Sequence, residues 1–276
     1  MCVDGGPIYL PLARNLGNDR ALYGLRLENT EQFAKPYRIE DIASYHIETL
    51  RKIQPKGPYL LGGWCLAGVL AYEMARQLTQ QGELVELVAM FDSANPAYLR
   101  RFNKLELMIR RTLFWGNKTT MHTRRLVGMN PRNAAHYLWE RIGSLKQAAR
   151  RTFWRLSYKF RNEKTQEVSE ELKDASAVVY LAARAYQPGP YDGRVALFRS
   201  ALEPMSLHRD PKLGWKELIP QLEVEEIPGD HRQILEEPAV AILARAMNDR
   251  LVQSPSRQTP EELWANLSAK DAVAKA

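Results

Sequence analysis

The chain has 276 residues, of which 45% are hydrophobic and 26% are charged, and its formal net charge is +7. This length allows one large buried core, and the composition is that of a globular protein in water. No apolar stretch reaches the roughly 20 residues of a membrane-spanning helix, and the first residues lack the pattern of a signal peptide. Two cysteines far apart in sequence do not form a disulfide framework, so we expect a cytoplasmic protein with free thiols.

Short apolar runs predict β-strands, and longer runs with helical spacing predict helices between them. The strands are predicted at residues 2–3, 22–25, 59–61, 84–91, 195–198 and 222–227, and the helices at residues 8–16, 39–53, 66–80, 175–186 and 240–252. The run 84–91 is almost continuously apolar, as in a strand buried on both faces, whereas 222–227 alternates and is expected near an edge. Alternating strands and helices predict an α/β protein with a mostly parallel central sheet and flanking helices.

The alternation stops after Pro96. Residues 97–174 show helical spacing and no clear strand, so we predict a helical insertion between two parts of the core, residues 1–96 and 175–252. The charge is uneven: residues 97–170 contain 17 Lys and Arg but 5 Asp and Glu, and the rest of the chain contains 22 and 27. A basic segment in a chain whose other residues carry a net negative charge favours a specific acidic partner. Residues 253–276 are predicted to be a linker and a C-terminal helix.

The segment Gly-Gly-Trp-Cys-Leu-Ala-Gly at residues 62–68 lies between a predicted strand and a predicted helix. It resembles Gly-x-Ser-x-Gly, in which a sharp strand-to-helix turn exposes a nucleophilic side chain, with cysteine in place of serine. We therefore predict that Cys65 is a nucleophile. The alternative is a cysteine that only packs in the interior, which is the usual role of a single buried cysteine.

A cysteine nucleophile needs a base, and the base needs a group that orients it. Among the five histidines, His231 is the predicted base because it follows Pro228-Gly229-Asp230 directly after the last predicted strand, at the sheet edge where α/β proteins place their sites. Asp92 ends the strand after the elbow helix and is the predicted acid, in the chain order nucleophile, acid, histidine. An alternative role for Asp92 is to close a turn. Asp230 is the competing acid, but a residue adjacent to His231 cannot readily face its ring.

The oxyanion of the reacting carbonyl requires backbone donors near Cys65. The N–H of Leu66, directly after the nucleophile, is the first predicted donor. The second is expected from the loop after the first strand, where Pro7 has no N–H and either Gly6 or Ile8 is the candidate.

Together these stretches resemble the thioesterase domains of nonribosomal peptide and polyketide synthases and their free-standing type II relatives. The matching segments are residues 11–14, 23–25, 57–68, 71–75, 92–93, 186–188, 191–193 and 229–231. The resemblance implies the α/β-hydrolase fold, with residues 97–174 as the family's helical lid. Three features depart from the family pattern: Cys65 replaces the usual serine, Ala67 replaces the usual glycine, and the motif before Gly6 is shortened.

The resemblance also implies a substrate and a partner. The substrate is an acyl or peptidyl chain held as a thioester on the 4'-phosphopantetheine arm of a carrier protein, and the protein itself binds no cofactor and no metal. Because an acyl-cysteine retains the reactivity of a thioester, cysteine favours release by cyclisation or transfer over release by hydrolysis. The protein is expected to act as a monomer or as a domain of a larger synthase.

Carrier proteins are commonly acidic, so the basic lid is the expected docking surface for one. The candidate contacts are Arg100, Arg101, Arg110, Arg111, Arg124 and Arg125.

Other functions fit parts of the sequence. Polyhydroxyalkanoate synthases and dienelactone hydrolases also have a cysteine in this elbow, but the former place the acid further along the chain and the latter are not expected to have a basic lid of this size. A non-enzymatic protein whose lid binds nucleic acid or an anionic membrane is favoured only by residues 150–155, whose aromatic side chains are explained more simply as the apolar face of a helix. We therefore expect neither a nucleic-acid nor a membrane partner.

Overall fold

A sheet of six parallel strands lies at the centre of the computed structural model, which describes residues 2–4, 6–17, 21–127, 129–135, 139, 175–202 and 210–252. The strands are β1 (Cys2–Asp4), β2 (Tyr23–Leu25), β3 (Tyr59–Trp64), β4 (Val85–Phe91), β5 (Val195–Ser200) and β6 (Leu222–Ile227). Their order is β2-β1-β3-β4-β5-β6, and every neighbouring pair is parallel. The prediction of an α/β fold with a parallel central sheet is confirmed.

The order in which the chain adds strands to the sheet reverses between β1 and β3. It runs outward from β1 to β2, returns to β3 on the other side of β1, and then continues strand by strand to β6. At such a switch point the loops after two neighbouring strands diverge and leave a crevice at the carboxyl edge. The loop after β1 and the elbow after β3 are the two loops at this switch point.

Helices cover both faces of the sheet. They are α1 (Leu10–Leu16), α2 (Ile39–Ile53), α3 (Leu66–Gln80), α4 (Lys104–Val127), α5 (Ala175–Ala185) and α6 (Ala239–Val252). Successive residues of β4 point to opposite faces, so Val88 and Met90 pack with α2, α3 and α5, while Ala89 and Phe91 pack with α1 and α6. Burial on both faces is why β4 is almost uniformly apolar, as predicted.

Most element boundaries agree with the sequence prediction, and β6 lies at the sheet edge as expected. The main difference is β3, which runs three residues beyond the predicted end at residue 61. Gly62, Gly63 and Trp64 pair in register with Ala89, Met90 and Phe91 of β4. Two glycines weaken the local strand signal, but pairing with a central buried strand compensates for it.

The predicted insertion begins with a short 3-10 turn and continues as α4, which spans 24 residues. A further helical segment is found at residues 131–135. Residues 140–174 of the predicted lid, and the predicted linker and helix at 253–276, lie outside the described residues. Among the helices that are described, none combines the length and the apolar character needed to cross a membrane.

A buried polar network ties α3 to the residues that directly follow α5. The Glu73 carboxylate is buried and accepts hydrogen bonds from Tyr186 Oη at 2.6 Å, Arg76 Nη1 at 2.7 Å and Gln77 Nε2 at 3.1 Å. The Tyr72 hydroxyl donates to the Gly189 carbonyl at 2.7 Å. These contacts explain the polar residues within an otherwise apolar helix, because they hold in place the helix that begins at the elbow.

Candidate active site

Cys65 occupies a strained turn between β3 and α3, with φ 57° and ψ −121°. Non-glycine residues rarely adopt a positive φ, and such strain persists where surrounding contacts enforce it. The Cys65 N–H donates to the Phe91 carbonyl at 2.9 Å. A Cβ added to Gly63 would lie 2.4 Å from the Ala67 carbonyl carbon, and one added to Gly68 would lie 2.0 Å from Ser93 Oγ. The two glycines therefore permit the close approach that this turn requires.

Three of the sequence-predicted residues meet at the carboxyl edge of the sheet. Asp92 directly follows β4, and its Oδ2 lies 2.6 Å from Nδ1 of His231. The Cys65 side chain lies near enough to the ring to raise the pKa of His231. Asp230, the competing acid, instead accepts hydrogen bonds from the backbone N–H groups of Arg232 and Gln233 at 3.0 and 3.2 Å. It shapes the loop that carries His231 and does not face the ring.

Asp92 is held by a residue that the sequence analysis did not single out. Ser200, the last residue of β5, donates its N–H to Asp92 Oδ1 at 3.0 Å and its hydroxyl to Oδ2 at 2.8 Å. Burial alone would raise the pKa of Asp92, but the hydrogen bond and charge of His231 and the two Ser200 hydrogen bonds outweigh it and lower the pKa. The carboxylate is therefore ionised at neutral pH. Its contact with Ser200 was not foreseen because β5 was predicted to end at residue 198.

His231 is strongly biased toward its protonated form. Burial lowers its pKa, but hydrogen bonds to Asp92 and Cys65 and the negative charges of both groups have the larger effect and raise the pKa above its usual value near 6.5. The side chain retains 32% exposure, so part of the ring is open to solvent. An imidazolium next to a thiol is the arrangement that stabilises a thiolate.

The pKa of His231 predicts a pH-dependent stability. Because the pKa is raised from 6.5 to about 10, the protonated ring adds stability that is fully present below 6.5 and is lost as the pH rises toward 10. We expect the free energy of unfolding of the wild type to fall relative to that of a His231→Gln variant across this window. Urea denaturation of both proteins at several pH values measures the difference, and parallel curves would contradict the assignment.

The candidate oxyanion donors lie on two adjacent loops. Leu66 is the first residue of α3, where backbone N–H groups have no acceptor within the helix. Gly6 and Ile8 belong to the loop and 3-10 turn that follow β1, the strand next to β3. The Trp64 N–H donates to Tyr9 Oη at 2.9 Å, which fastens this turn to the elbow. The placement is compatible with the predicted donors, whose role stays a prediction.

Several candidate arginines of the predicted lid contact other groups of this chain, which the sequence pattern did not indicate. Arg100 donates to the Tyr186 carbonyl, Arg101 pairs with Glu217 at 2.6 Å, and Arg110 pairs with Glu106 at 3.0 Å while covering the Phe102 ring. Arg111 is exposed on α4. The side chains of Arg124 and Arg125 lie outside the described part of the chain. Of the four candidate arginines whose side chains are described, Arg111 is thus the one with no hydrogen bond or ion pair to a described residue of the chain.

Comparison with known proteins identifies the family. Residues 5–251 match the family model described as Thioesterase domain. Polyketide synthase PksR of Bacillus subtilis (strain 168) is 42% identical over 92 residues, which are 33% of this chain and 4% of that protein. Non-reducing polyketide synthase PKS16 of Cladonia grayi is 54% identical over 59 residues, which are 21% of this chain and 3% of that protein. The matches therefore span only 3–4% of the length of these relatives.

The fold is shared with solved thioesterase structures. The NocB thioesterase domain, solved as a covalent complex with a fluorophosphonate nocardicin G analogue, is 24% identical with a TM-score of 0.54, and the similarity covers 88% of each chain. An identity this low supports the fold alone. Since the family model spans nearly the whole core, the protein belongs to the thioesterase domain family and has its α/β-hydrolase fold.

Proposed function

We propose that this protein releases an acyl or peptidyl chain from the phosphopantetheine thioester of a carrier protein through an acyl-Cys65 intermediate. The observation that carries the proposal is the 2.6 Å contact between His231 and Asp92 beside the strained Cys65 elbow. Family membership supports thioester cleavage. The relatives named as polyketide synthases support a carrier-bound substrate.

In the first step the Cys65 thiolate attacks the carbonyl carbon of the thioester. The tetrahedral oxyanion is stabilised by the Leu66 N–H and by the N–H of Gly6 or Ile8. When the intermediate collapses, the bond to the phosphopantetheine sulfur breaks, and that sulfur takes the proton of the His231 imidazolium. The acyl chain is then bound to Cys65, and His231 is neutral.

In the second step neutral His231 removes a proton from water or from a hydroxyl or amine group. That nucleophile attacks the acyl carbon, and Cys65 leaves as a thiolate beside the protonated histidine. Asp92 holds Nδ1–H, so that Nε2 faces the reacting groups throughout.

The thiol nucleophile has a consequence for the kind of product. Transfer from a carrier thioester to Cys65 exchanges one thioester for another and changes the free energy little, whereas an ester on serine would be less reactive. The acyl-cysteine therefore keeps its reactivity for a demanding second step. We propose that release occurs by cyclisation or by transfer to an amine or hydroxyl, with hydrolysis as the slower alternative.

The acyl adduct provides the direct test. We expect a panel of acyl-, aminoacyl- and peptidyl-loaded carrier proteins to include one that adds its acyl mass to Cys65, detected by intact mass and by peptide mapping. Cys2 serves as the thiol control within the same chain, and Cys65→Ala is expected to form no adduct. A Cys65 that accepts no acyl group from any carrier and reacts no faster with iodoacetamide than Cys2 would defeat the proposal.

We further propose that residues 97–174 form a lid on a core made of residues 1–96 and 175–252, and that an acidic carrier protein docks on this lid. The exposure of Arg111 supports such docking. Arg100, Arg101 and Arg110 already contact groups of this chain, so they are expected to contribute less.

A further inference from the structure

Trp64, which directly precedes Cys65, contacts His231 in two ways. Its indole Nε1–H donates to the backbone carbonyl of His231 at 2.8 Å. Its ring also stacks on the imidazole, with centroids 4.6 Å apart and an angle of 31° between the planes. One side chain therefore holds both the loop and the ring of the histidine.

Trp64 is itself held firmly. It is the last residue of β3 and pairs with Phe91 of β4, and its N–H donates to Tyr9 Oη. The indole packs against the apolar cluster formed by α1, α6 and one face of the sheet. Because Trp64 and Cys65 are consecutive, anything fixed to the indole is fixed relative to the thiol.

The ring contact of Trp64 with His231 is distinct from the contacts that the other nearby groups make. Asp92 binds Nδ1, and Cys65 contacts the ring as well. On the loop that carries His231, Asp230 accepts hydrogen bonds from two backbone N–H groups, and Arg232 is the residue that follows His231. The face of an indole carries negative potential and attracts a cation placed over it. A protonated imidazole at this distance is such a cation.

We propose that Trp64 is a positioning residue whose ring face holds His231 toward Cys65 and stabilises the imidazolium partner of the thiolate. This inference rests on the proposed role of Cys65 as the nucleophile. It assigns a function to the residue before the nucleophile, which the sequence pattern places only in the segment between a predicted strand and a predicted helix.

The stack has a consequence that does not require the natural substrate. If it stabilises the imidazolium, it increases the fraction of Cys65 present as thiolate at pH 6.5, where an isolated thiol is protonated. Near pH 10 every thiol is ionised and the stack has no effect on this fraction. The ratio of the alkylation rates at the two pH values therefore reports on the stack.

The experiment measures iodoacetamide alkylation of Cys65 by peptide mass spectrometry at pH 6.5 and near pH 10 in the full chain. In Trp64→Leu we expect the rate at pH 6.5 to fall by about three- to tenfold, as for loss of a partly buried cation–π contact, with the rate near pH 10 unchanged. Trp64→Phe keeps an aromatic face and is expected to stay within about twofold of the wild type. Trp115→Leu, which removes an exposed tryptophan of α4, serves as the matched control and is expected to have no effect.

Fluorinated tryptophan provides a second measurement that leaves the shape of the side chain unchanged. Successive fluorine atoms weaken the negative potential of the indole face, so we expect the rate at pH 6.5 to fall with each one. A rate that does not change with fluorination, or an unchanged ratio in Trp64→Leu, would overturn the inference. Equal losses in Trp64→Leu and Trp64→Phe would assign the effect to the indole N–H and would also overturn the role of the face. A wild-type Cys65 with the profile of an ordinary thiol would overturn the proposed nucleophile itself.

Discussion

Replacing Asp92 with asparagine is expected to lower the rate of acyl transfer to Cys65 by about 10³–10⁴-fold. The reason lies in the contacts of the two carboxylate oxygens. Oδ1 accepts the Ser200 N–H, so an amide NH₂ group at that position would place two donors against each other. The amide nitrogen is therefore forced to the Oδ2 position, where it donates to Nδ1 of His231. The proton of the imidazole then moves to Nε2, which can no longer accept a proton from Cys65.

The variants Asp230→Asn and Ser200→Ala are the controls for this result. Asp230 does not face the histidine ring, so we expect a far smaller loss than in Asp92→Asn. Ser200→Ala removes one of the donors to Asp92 but leaves the carboxylate and the backbone N–H, and a loss of about tenfold is expected. Pre-steady-state rates of adduct formation measure all three. Full activity in Asp92→Asn would make a dienelactone hydrolase-like or polyhydroxyalkanoate synthase-like enzyme the better description.

Replacing Cys65 with serine is expected to change which product is released. An acyl-serine ester is less activated toward amines than a thioester, whereas water attacks both at more similar rates. We expect the ratio of amide to acid formed with an added primary amine to fall by about tenfold, a difference of about 1.4 kcal/mol between the two barriers. Product analysis by liquid chromatography and mass spectrometry measures this ratio.

The same variant also separates the roles of thiol and histidine. Serine has to lose its proton to His231 during attack, so the reaction of Cys65→Ser requires the neutral imidazole and is expected to speed up as the pH rises above 6.5. A thiol is far more acidic than a serine hydroxyl, so attack by the wild type depends less on the neutral imidazole and is expected to vary less over this range. An unchanged rate, product ratio and pH profile in Cys65→Ser would contradict the proposed advantage of cysteine.

Local pattern was sufficient to predict much of the fold. The spacing of apolar residues along an element depends on which of its faces are buried. This spacing is visible in the continuous apolar run of β4, the alternating run of β6 and the helical periodicity of α2 and α3. The elbow was recognisable for a similar reason. Gly63 is required by a close approach to Ala67, which is only a few residues away in the chain.

Contacts between distant segments could not be read in this way. Ser200 reaches Asp92 across 108 residues, and Trp64 reaches His231 across 167. Arg100 and Arg101 were predicted to contact a carrier protein, but the fold brings Tyr186 and Glu217 beside them. Such contacts depend on which strands become neighbours, and a single sequence carries no local signal for that choice.

The sequence by itself determined the elbow with Cys65 and the candidates Asp92 and His231, because each stands at the end of a recognisable strand. Only the tertiary structure decided that Asp92 rather than Asp230 faces the histidine, that Ser200 supports the carboxylate, and that Trp64 covers the imidazole. The physical reason is that hydrogen bonds and ring contacts require particular distances and directions between their groups. Those directions are set only when the parallel sheet aligns the ends of its strands.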